Sequence, residues 1–118
     1  MSYSFERSVR IARLIKKTMA TLLKVKAKDP RFSYVTITDV RVSHDFSYAE
    51  IFVSLPSDEK VKEILIALNK AVPYFRHLLA VSLKMRSVPK LHFVYDDHLR
   101  STQRLIKLID QIDDTTVI

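Results

Sequence analysis

The pattern of apolar and polar positions predicts an amphipathic helix over residues 5–23. At the 100° spacing of a helix, its apolar residues gather on one side, which indicates that this side packs on a core. They are Phe5, Ile11, Ala12, Ile15, Met19, Leu22 and Leu23. Ser4 is the expected N-cap, and Pro30 is expected to end the helix because proline pushes Asp29 out of helical backbone space.

A two-residue alternation of apolar and polar positions predicts strands over residues 34–43 and 48–55. In the first strand the apolar positions change phase between Thr38 and Asp39, which indicates a β-bulge. The four residues between the strands form a turn without glycine, in which the Asp45 side chain can bond the backbone. The pattern therefore predicts an antiparallel hairpin.

A second helical pattern follows residues 56–59, with Ser57 as the expected N-cap and two acids in the first turn. Pro73 interrupts this pattern after about four turns, yet the apolar period continues beyond it. Proline is tolerated at the start of a helix, where its missing N–H has no partner. Ala71, Val72 and Pro73 therefore predict a bend between two helices, with Pro73 as the first residue of the second.

The remaining pattern predicts a short strand and a last helix. Residues 88–89 close the bent helix, and apolar residues alternate over 91–95. Asp96 or Asp97 is the expected cap of the last helix. The order helix, strand, strand, helix, bent helix, strand, helix predicts an α+β fold with a three-stranded sheet covered by helices.

Length and composition exclude several classes of protein. The 118 residues suffice for one domain, expected over residues 1–110 with a flexible tail at 111–118. No apolar run is long enough to span a membrane, and the absence of cysteine excludes disulfides and thiolate sites and suits the cytosol. The absence of glycine excludes P-loops and glycine-rich dinucleotide or oxyanion loops, which need positive φ or a backbone unobstructed by Cβ.

The net charge of +7 is unevenly distributed. Residues 1–31 hold nine Lys or Arg and two acids, whereas residues 32–118 hold eleven of each. The whole excess lies in the first quarter of the chain, which is typical of a polyanion-binding face. The candidate contacts there are Arg7, Arg10, Arg13, Lys17, Lys24, Lys26, Lys28 and Arg31. Lys16 borders the apolar side of the helix.

Two acidic clusters are weak candidates for chemistry. Asp96, Asp97 and His98 resemble an acid–base or metal cluster, but helix capping explains both acids. His44 and Asp45 fall in a turn, and two adjacent ligands do not make a metal centre. We therefore expect no catalytic residue, no metal ion and no cofactor.

Several short motifs follow one another between residues 7 and 109. They are Asp29-Pro30-Arg31, Val35-Thr36-Ile37-Thr38-Asp39-Val40 with Val42-Ser43, Ala49-Glu50-Ile51-Phe52-Val53-Ser54, Phe75-Arg76 with Leu78-Leu79, and Leu83-Lys84-Met85-Arg86-Ser87-Val88-Pro89-Lys90-Leu91 with Phe93 and Asp96. In order and spacing they resemble the ribosome-binding factor A family, bacterial assembly factors of the small ribosomal subunit.

The resemblance implies a type II KH-like fold, in which a kink of Ala-x-Gly form replaces the glycine loop between the paired helices. Ala71 matches that kink. Pro73 stands where the glycine would be and bends the chain by a different physical route. A glycine expected early in the last helix is also missing, near Thr102.

The resemblance also implies a function. The protein is expected to bind the free small (30S) subunit as a cytoplasmic monomer, and to assist late maturation of 16S rRNA near its 5′ end and the neck, mostly in the cold. No enzymatic activity, small-molecule substrate or membrane contact is expected. The helix cations would neutralise phosphates, with help from Arg76, Lys84 and Arg86 on the bent helix.

Other interpretations stay open. A generic KH-type module would bind any single-stranded RNA, but this chain lacks the glycine loop that clamps a backbone. A membrane-surface or partner-binding protein would use the basic helix, whose apolar side the core needs. A mitochondrial transit peptide is also Arg-rich, but no cleavage site or linker follows the helix. Tyr34, Tyr48 and Phe52 could stack bases if the outer sheet face were open.

Overall fold

A three-stranded mixed sheet carries the described helices on one face. The computed structural model describes residues 2–25, 29–57 and 59–96. Its elements are α1 (Ser2–Val25), a short 3-10 helix (Pro30–Tyr34), β1 (Thr36–Val42), β2 (Tyr48–Ser54), α2 (Val61–Lys70), α3 (Val72–Leu83) and β3 (Lys90–Tyr95). The predicted α+β order is confirmed up to β3. The predicted last helix and the tail at 111–118 lie outside the described residues.

The central strand β2 is antiparallel to β1 and parallel to β3. The register of β1 shifts between Ile37 and Asp39, which leaves Thr38 as an extra residue and confirms the predicted bulge. The Thr38 hydroxyl donates to the Asp96 carboxylate at the end of β3. The Asp96 N–H donates to the carbonyl of Val53 in β2 (2.7 Å). The bulge thus links the first strand to the end of the third.

The inward side chains of the sheet and the apolar sides of the helices form one core. α1 lies over β1, α2 lies beside β3, and α3 packs against both α1 and β3. The buried Phe75 ring meets the rings of Phe32 and Phe93 at centroid distances of 5.9 and 5.8 Å. Much of the predicted apolar stripe of α1 is buried, namely Ala12, Ile15, Met19, Leu22 and Leu23. The prediction that this side packs on the core is confirmed.

No described helix covers the other face of the sheet. Alternation along the strands places Arg41, Tyr48, Phe52 and Lys90 there. Tyr48 is 42% exposed, whereas the Arg41 guanidinium lies 5.2 Å from the centre of the Phe52 ring and shields it. Of these two aromatic residues, Tyr48 is the one with a surface open for stacking.

Ala71 both ends α2 and precedes α3, and the two helices meet at a bend of 58°. Its N–H donates to the carbonyls of Ala67 and Leu68 (both 3.1 Å), which completes α2. Pro73 is the second residue of α3, one position later than predicted, where it removes no helical hydrogen bond. The predicted bend is therefore confirmed. No single described helix is long and apolar enough to cross a membrane, and only this bent pair together passes by length and composition.

Two predicted boundaries near the start of the chain are wrong. Ser4 is not an N-cap, because α1 already includes Ser2. Tyr34 belongs to the 3-10 helix rather than to β1. The Asp29 carboxylate accepts the Arg31 N–H (2.9 Å), which caps that helix and delays the start of the strand.

Two later helix ends also differ from the prediction. Ser57 accepts the Glu59 N–H (3.2 Å) in a turn before α2, so it does not cap the helix, which begins at Val61. α3 ends at Leu83 because Lys84 adopts the left-handed conformation (φ 54°, ψ 39°) that glycine usually supplies at a helix end. The bent helix is therefore shorter than predicted.

The Asn69 side chain covers part of the outer edge of β3. Its Oδ1 accepts the Phe93 N–H (2.9 Å), and its Nδ2 donates to the carbonyls of Phe93 (3.2 Å) and Leu65 (3.1 Å). A side-chain amide thus takes the place of a neighbouring strand at this point. It also ties α2 to the sheet.

Replacing Asn69 with alanine removes the hydrogen-bond partners of both the N–H and the carbonyl of Phe93. We expect the free energy of unfolding to fall by about 1–3 kcal/mol, the cost of leaving partly buried polar groups unpaired. Denaturant unfolding measures this loss, with the exposed neighbour substitution Lys70→Ala as the control. A loss no larger than that of the control would contradict the role of Asn69.

Replacing Lys84 with glycine removes the steric cost of a left-handed residue that carries a Cβ. We expect the variant to be more stable by up to about 1 kcal/mol, because glycine adopts this conformation without strain. Arg86→Gly, which removes the same charge at a position without positive φ, is the control and should not stabilise. Equal unfolding midpoints for the two variants would disprove strain at Lys84.

Candidate nucleic-acid interface

The exposed side of α1 carries a row of cations, which we call the α1 ridge. It consists of Arg10, Arg13, Lys17 and Lys24. Within the described residues, no carboxylate forms an ion pair with these side chains. The ridge extends over about 21 Å along the helix axis. Because the opposite side of α1 is buried, the ridge is a rigid positive surface.

At the amino-terminal end of α1, the positive surface continues to the turn between β1 and β2. Arg7 is exposed, and its guanidinium lies 5.4 Å from the centre of the Phe46 ring, a cation–π contact. Phe46 has a φ of 62°, which is unusual for a residue with a Cβ. Sequence reasoning missed Phe46 because it belongs to neither strand pattern. An aromatic residue in an otherwise polar turn was the one available signal.

A carboxylate holds this turn in shape. Asp45 Oδ1 accepts the hydroxyls of Ser47 (2.7 Å) and Ser43 (2.8 Å) and the Ser47 N–H (3.1 Å). The Ser43 hydroxyl accepts the Tyr48 N–H (3.1 Å). The hydrogen bonds, that from the Ser47 hydroxyl above all, lower the pKa of Asp45 from 3.8 to about 2. The predicted bonding of the turn backbone by Asp45 is confirmed.

Lys84 and Arg86 are exposed, and they lie in the loop between α3 and β3 rather than on the bent helix as predicted. The left-handed conformation of Lys84 ends the helix before them. At the end of this loop, Lys90 donates its N–H to the carbonyl of Ser47 (3.0 Å). The loop therefore leads to the β1–β2 turn, at the same end of the sheet as Arg7.

Arg76 has a structural task that the sequence did not indicate. Its Nη2 donates to the Val88 carbonyl (2.6 Å) and its Nε donates to the Pro89 carbonyl (3.1 Å). These bonds fix the loop before β3. Its predicted RNA contact stays a prediction, but its guanidinium is already committed to backbone carbonyls.

Arg31 is also paired within the protein. Its guanidinium bonds the Asp29 carboxylate (2.6 Å) and reaches Glu63 of α2 (3.2 Å). The hydrogen bonds from Arg31 lower the pKa of Asp29. Arg31 thus joins the 3-10 helix to α2, and acidic groups already balance its charge. Lys26 and Lys28 lie outside the described residues.

In the part of the chain that the structure describes, no three His, Asp or Glu side chains lie close enough together to hold a metal ion. His98 and Asp97 of the cluster considered above lie outside that part. The expectation that the protein has no catalytic residue stays a prediction.

The elements follow the order of a type II KH-like domain. An N-terminal helix and two strands precede a kinked helix pair, and the last described strand, β3, is parallel to β2. The α1 ridge gives this domain the basic face typical of nucleic-acid-binding proteins. A family model described as Ribosome-binding factor A matches residues 7–109. The chain belongs to the ribosome-binding factor A family.

Known relatives agree in sequence and in fold. Ribosome-binding factor A from Shewanella sp. (strain W3-18-1) is 42% identical over 114 residues, which cover 95% of this chain and 76% of the relative. The crystal structure of ribosome-binding factor A from Thermus thermophilus matches with a TM-score of 0.67 and 27% identity, over 75% of this chain and 93% of that one. A homology model of ribosome binding factor A from Thermus thermophilus, as fitted into a cryo-EM map of its complex with 30S, matches with a TM-score of 0.61 and 28% identity, over 73% of this chain and 91% of that one. The family and the KH-like fold predicted from the motifs are confirmed.

The low pKa of Asp45 predicts that the β1–β2 turn stabilises the protein in a pH-dependent way. Because the folded-state pKa lies below 3.8, the contribution is complete above about pH 4 and is lost as the pH falls through about 2. Asp45→Ala should lower the Tm near neutral pH. The difference in Tm between this variant and the parent protein should shrink as the pH falls from about 4 to about 2. Thermal unfolding over a pH series measures this, and a constant difference would contradict the prediction.

Proposed function

We propose that this protein binds the free 30S ribosomal subunit and assists late maturation of 16S rRNA near its 5′ end. The α1 ridge supports this most directly, as a row of exposed cations on a helix whose other side is buried. The Thermus thermophilus relative is described in a complex with 30S, which supports the same partner. The protein would act as a cytoplasmic monomer with one domain over residues 1–110, without a cofactor or an enzymatic step.

The α1 ridge has the properties that phosphate binding requires. Each cation that meets a phosphate releases condensed counterions, so affinity falls steeply with salt. The cations approach the RNA together because burial prevents α1 from rotating. Phosphate contacts position a protein but carry little sequence information, so recognition would rest on the shape of the rRNA. Arg7, Lys84 and Arg86 would extend the contact beyond the end of α1.

Binding of this kind favours one RNA conformation over others without chemical change. Misfolded RNA helices escape slowly at low temperature. A factor that stabilises the correctly folded 5′ region and neck therefore contributes most in the cold. This reasoning is the physical basis for the proposed importance of the protein during cold growth.

A generic KH-type module would clamp an RNA backbone at the bend between α2 and α3, and a groove on the surface of α2 lies beside that bend. That groove is lined by Lys62, Leu65, Ile66, Asn69 and Lys70. The chain has no glycine loop with which to clamp a nucleic-acid backbone there. The α2 cations therefore provide the matched comparison for the α1 ridge.

Replacing Arg10, Arg13 and Lys17 together with alanine should weaken binding to purified 30S subunits. The plot of log affinity against log salt should flatten by roughly one unit of slope for each lost phosphate contact. The fold should stay intact because all three side chains are exposed. Co-sedimentation with 30S subunits across a salt series measures both quantities.

The control replaces three exposed cations on or beside α2, namely Lys60, Lys62 and Lys70. We expect this variant to bind 30S subunits as the parent does. Loss of binding in the control with retention in the ridge variant would favour the generic KH mode and overturn the proposal. Equal affinity of the parent for 30S subunits and for any single-stranded RNA would also contradict it.

A further inference from the structure

β1 is an edge strand of the described sheet, and a groove of about 510 Å³ lies between it and α1. We call it the α1–β1 groove. Its apolar floor is formed by Val9, Ala12, Val40 and Val42. On the helix side, Arg13 and Lys16 form a cationic rim. On the strand side, Asp39 and Arg41 also line the groove and pair with each other (3.3 Å), so Arg13 and Lys16 carry the charge that no described residue balances. The groove thus combines an apolar floor, a positive rim on the helix side and the edge of a strand.

The edge of β1 offers backbone hydrogen-bonding groups to a partner. Ser43 donates its N–H to the carbonyl of Tyr48 in β2 (2.9 Å). The alternation of an antiparallel pair therefore turns the N–H and C=O groups of Val40 and Val42 away from β2. The Asp39 carboxylate accepts the Val40 N–H (2.9 Å). No described strand pairs with this edge. Because Asp39 already accepts the Val40 N–H, the accessible part of the edge is short and centres on Val42.

These features suit a polypeptide better than a nucleic acid. A strand edge needs a partner that both donates and accepts in register, as a peptide backbone does. The lining includes no Phe, Tyr or Trp on which a base could stack. Arg13 and Lys16 are neighbours on the helix surface, and neither forms an ion pair within the described residues, so they favour acidic side chains.

We propose that the α1–β1 groove binds an extended acidic segment of a protein partner as an additional strand beside β1. The segment bonds the backbone of Val42, places apolar side chains on the floor and directs carboxylates to Arg13 and Lys16. This contact is additional to the rRNA contact and does not require it. Lys16 lines the groove, whereas Lys17 lies on the α1 ridge, because adjacent helical residues point about 100° apart. The two lysines therefore allow the two contacts to be tested separately.

The test uses the full chain and a synthetic peptide that repeats Val-Thr-Glu-Thr, in which Val and Glu share the face of the added strand that meets the groove. Lys16→Glu reverses a charge on the groove, and Lys17→Glu makes the same change on the α1 ridge. We expect Lys16→Glu to weaken peptide binding at least about tenfold and to retain 30S binding, and Lys17→Glu to do the reverse. Calorimetry and co-sedimentation measure the two affinities, and thermal unfolding verifies each fold. Equal effects of the two variants on peptide binding would overturn the proposal.

A second measurement tests the added strand itself. A peptide of the same sequence with alternate amides methylated cannot donate in a ladder, and we expect it to bind at least about tenfold more weakly. NMR titration of the isotope-labelled chain with the unmodified peptide should shift the amide signals of residues 41–44. Equal binding of the methylated peptide, or shifts confined to other elements, would overturn the proposal. Shifts at 41–44 caused by an oligouridylate but not by the peptide would make the groove an RNA site instead.

Discussion

Burial of one side of α1 fixes the rotation of this helix, and the positions of both the α1 ridge and the α1–β1 groove depend on it. Ile15 and Met19 are fully buried, and Leu23 is 1% exposed. Rotating the helix by one residue would turn every side chain by about 100° and carry a lysine such as Lys16 toward the core. Burying an unpaired charge costs far more than any regained surface contact. The core therefore sets the cations in place before any partner arrives.

A second constraint is that the backbone turns without glycine. Phe46 and Lys84 adopt positive φ although each carries a Cβ, at a cost of about 1 kcal/mol per residue. At Phe46, the hydrogen bonds around Asp45 offset part of this cost. In place of glycine, Phe46 provides an aromatic ring that contacts Arg7, and Lys84 provides an additional exposed cation. Both residues with positive φ thus contribute a side chain that glycine could not, and the proposed RNA contact would use the cations at both positions.

Local periodicity was enough to predict the elements whose side chains face a single core. The stripe of α1, the hairpin, the bulge at Thr38 and the bend before Pro73 all follow from apolar spacing or backbone chemistry. The partners of Arg31 and Arg76 could not be predicted in this way. The Arg76 side chain meets carbonyls 12 and 13 residues further along the chain, and Arg31 reaches across to α2. The sequence alone does not distinguish a basic residue that binds a distant carbonyl from one that binds a phosphate.

Arg13 lies at the boundary between the two surfaces of α1, because it belongs to the α1 ridge and also lines the α1–β1 groove. An acidic segment in the groove would compete with a phosphate for its guanidinium. Arg10, Lys17 and Lys24 do not line the groove and would stay available to RNA. Simultaneous binding would therefore remove about one phosphate contact rather than the whole surface, which corresponds to a change of about one unit in the slope of log affinity for RNA against log salt. The two proposed partners would be coupled through one side chain, and weakly, since the remaining cations lie on different sides of one helix.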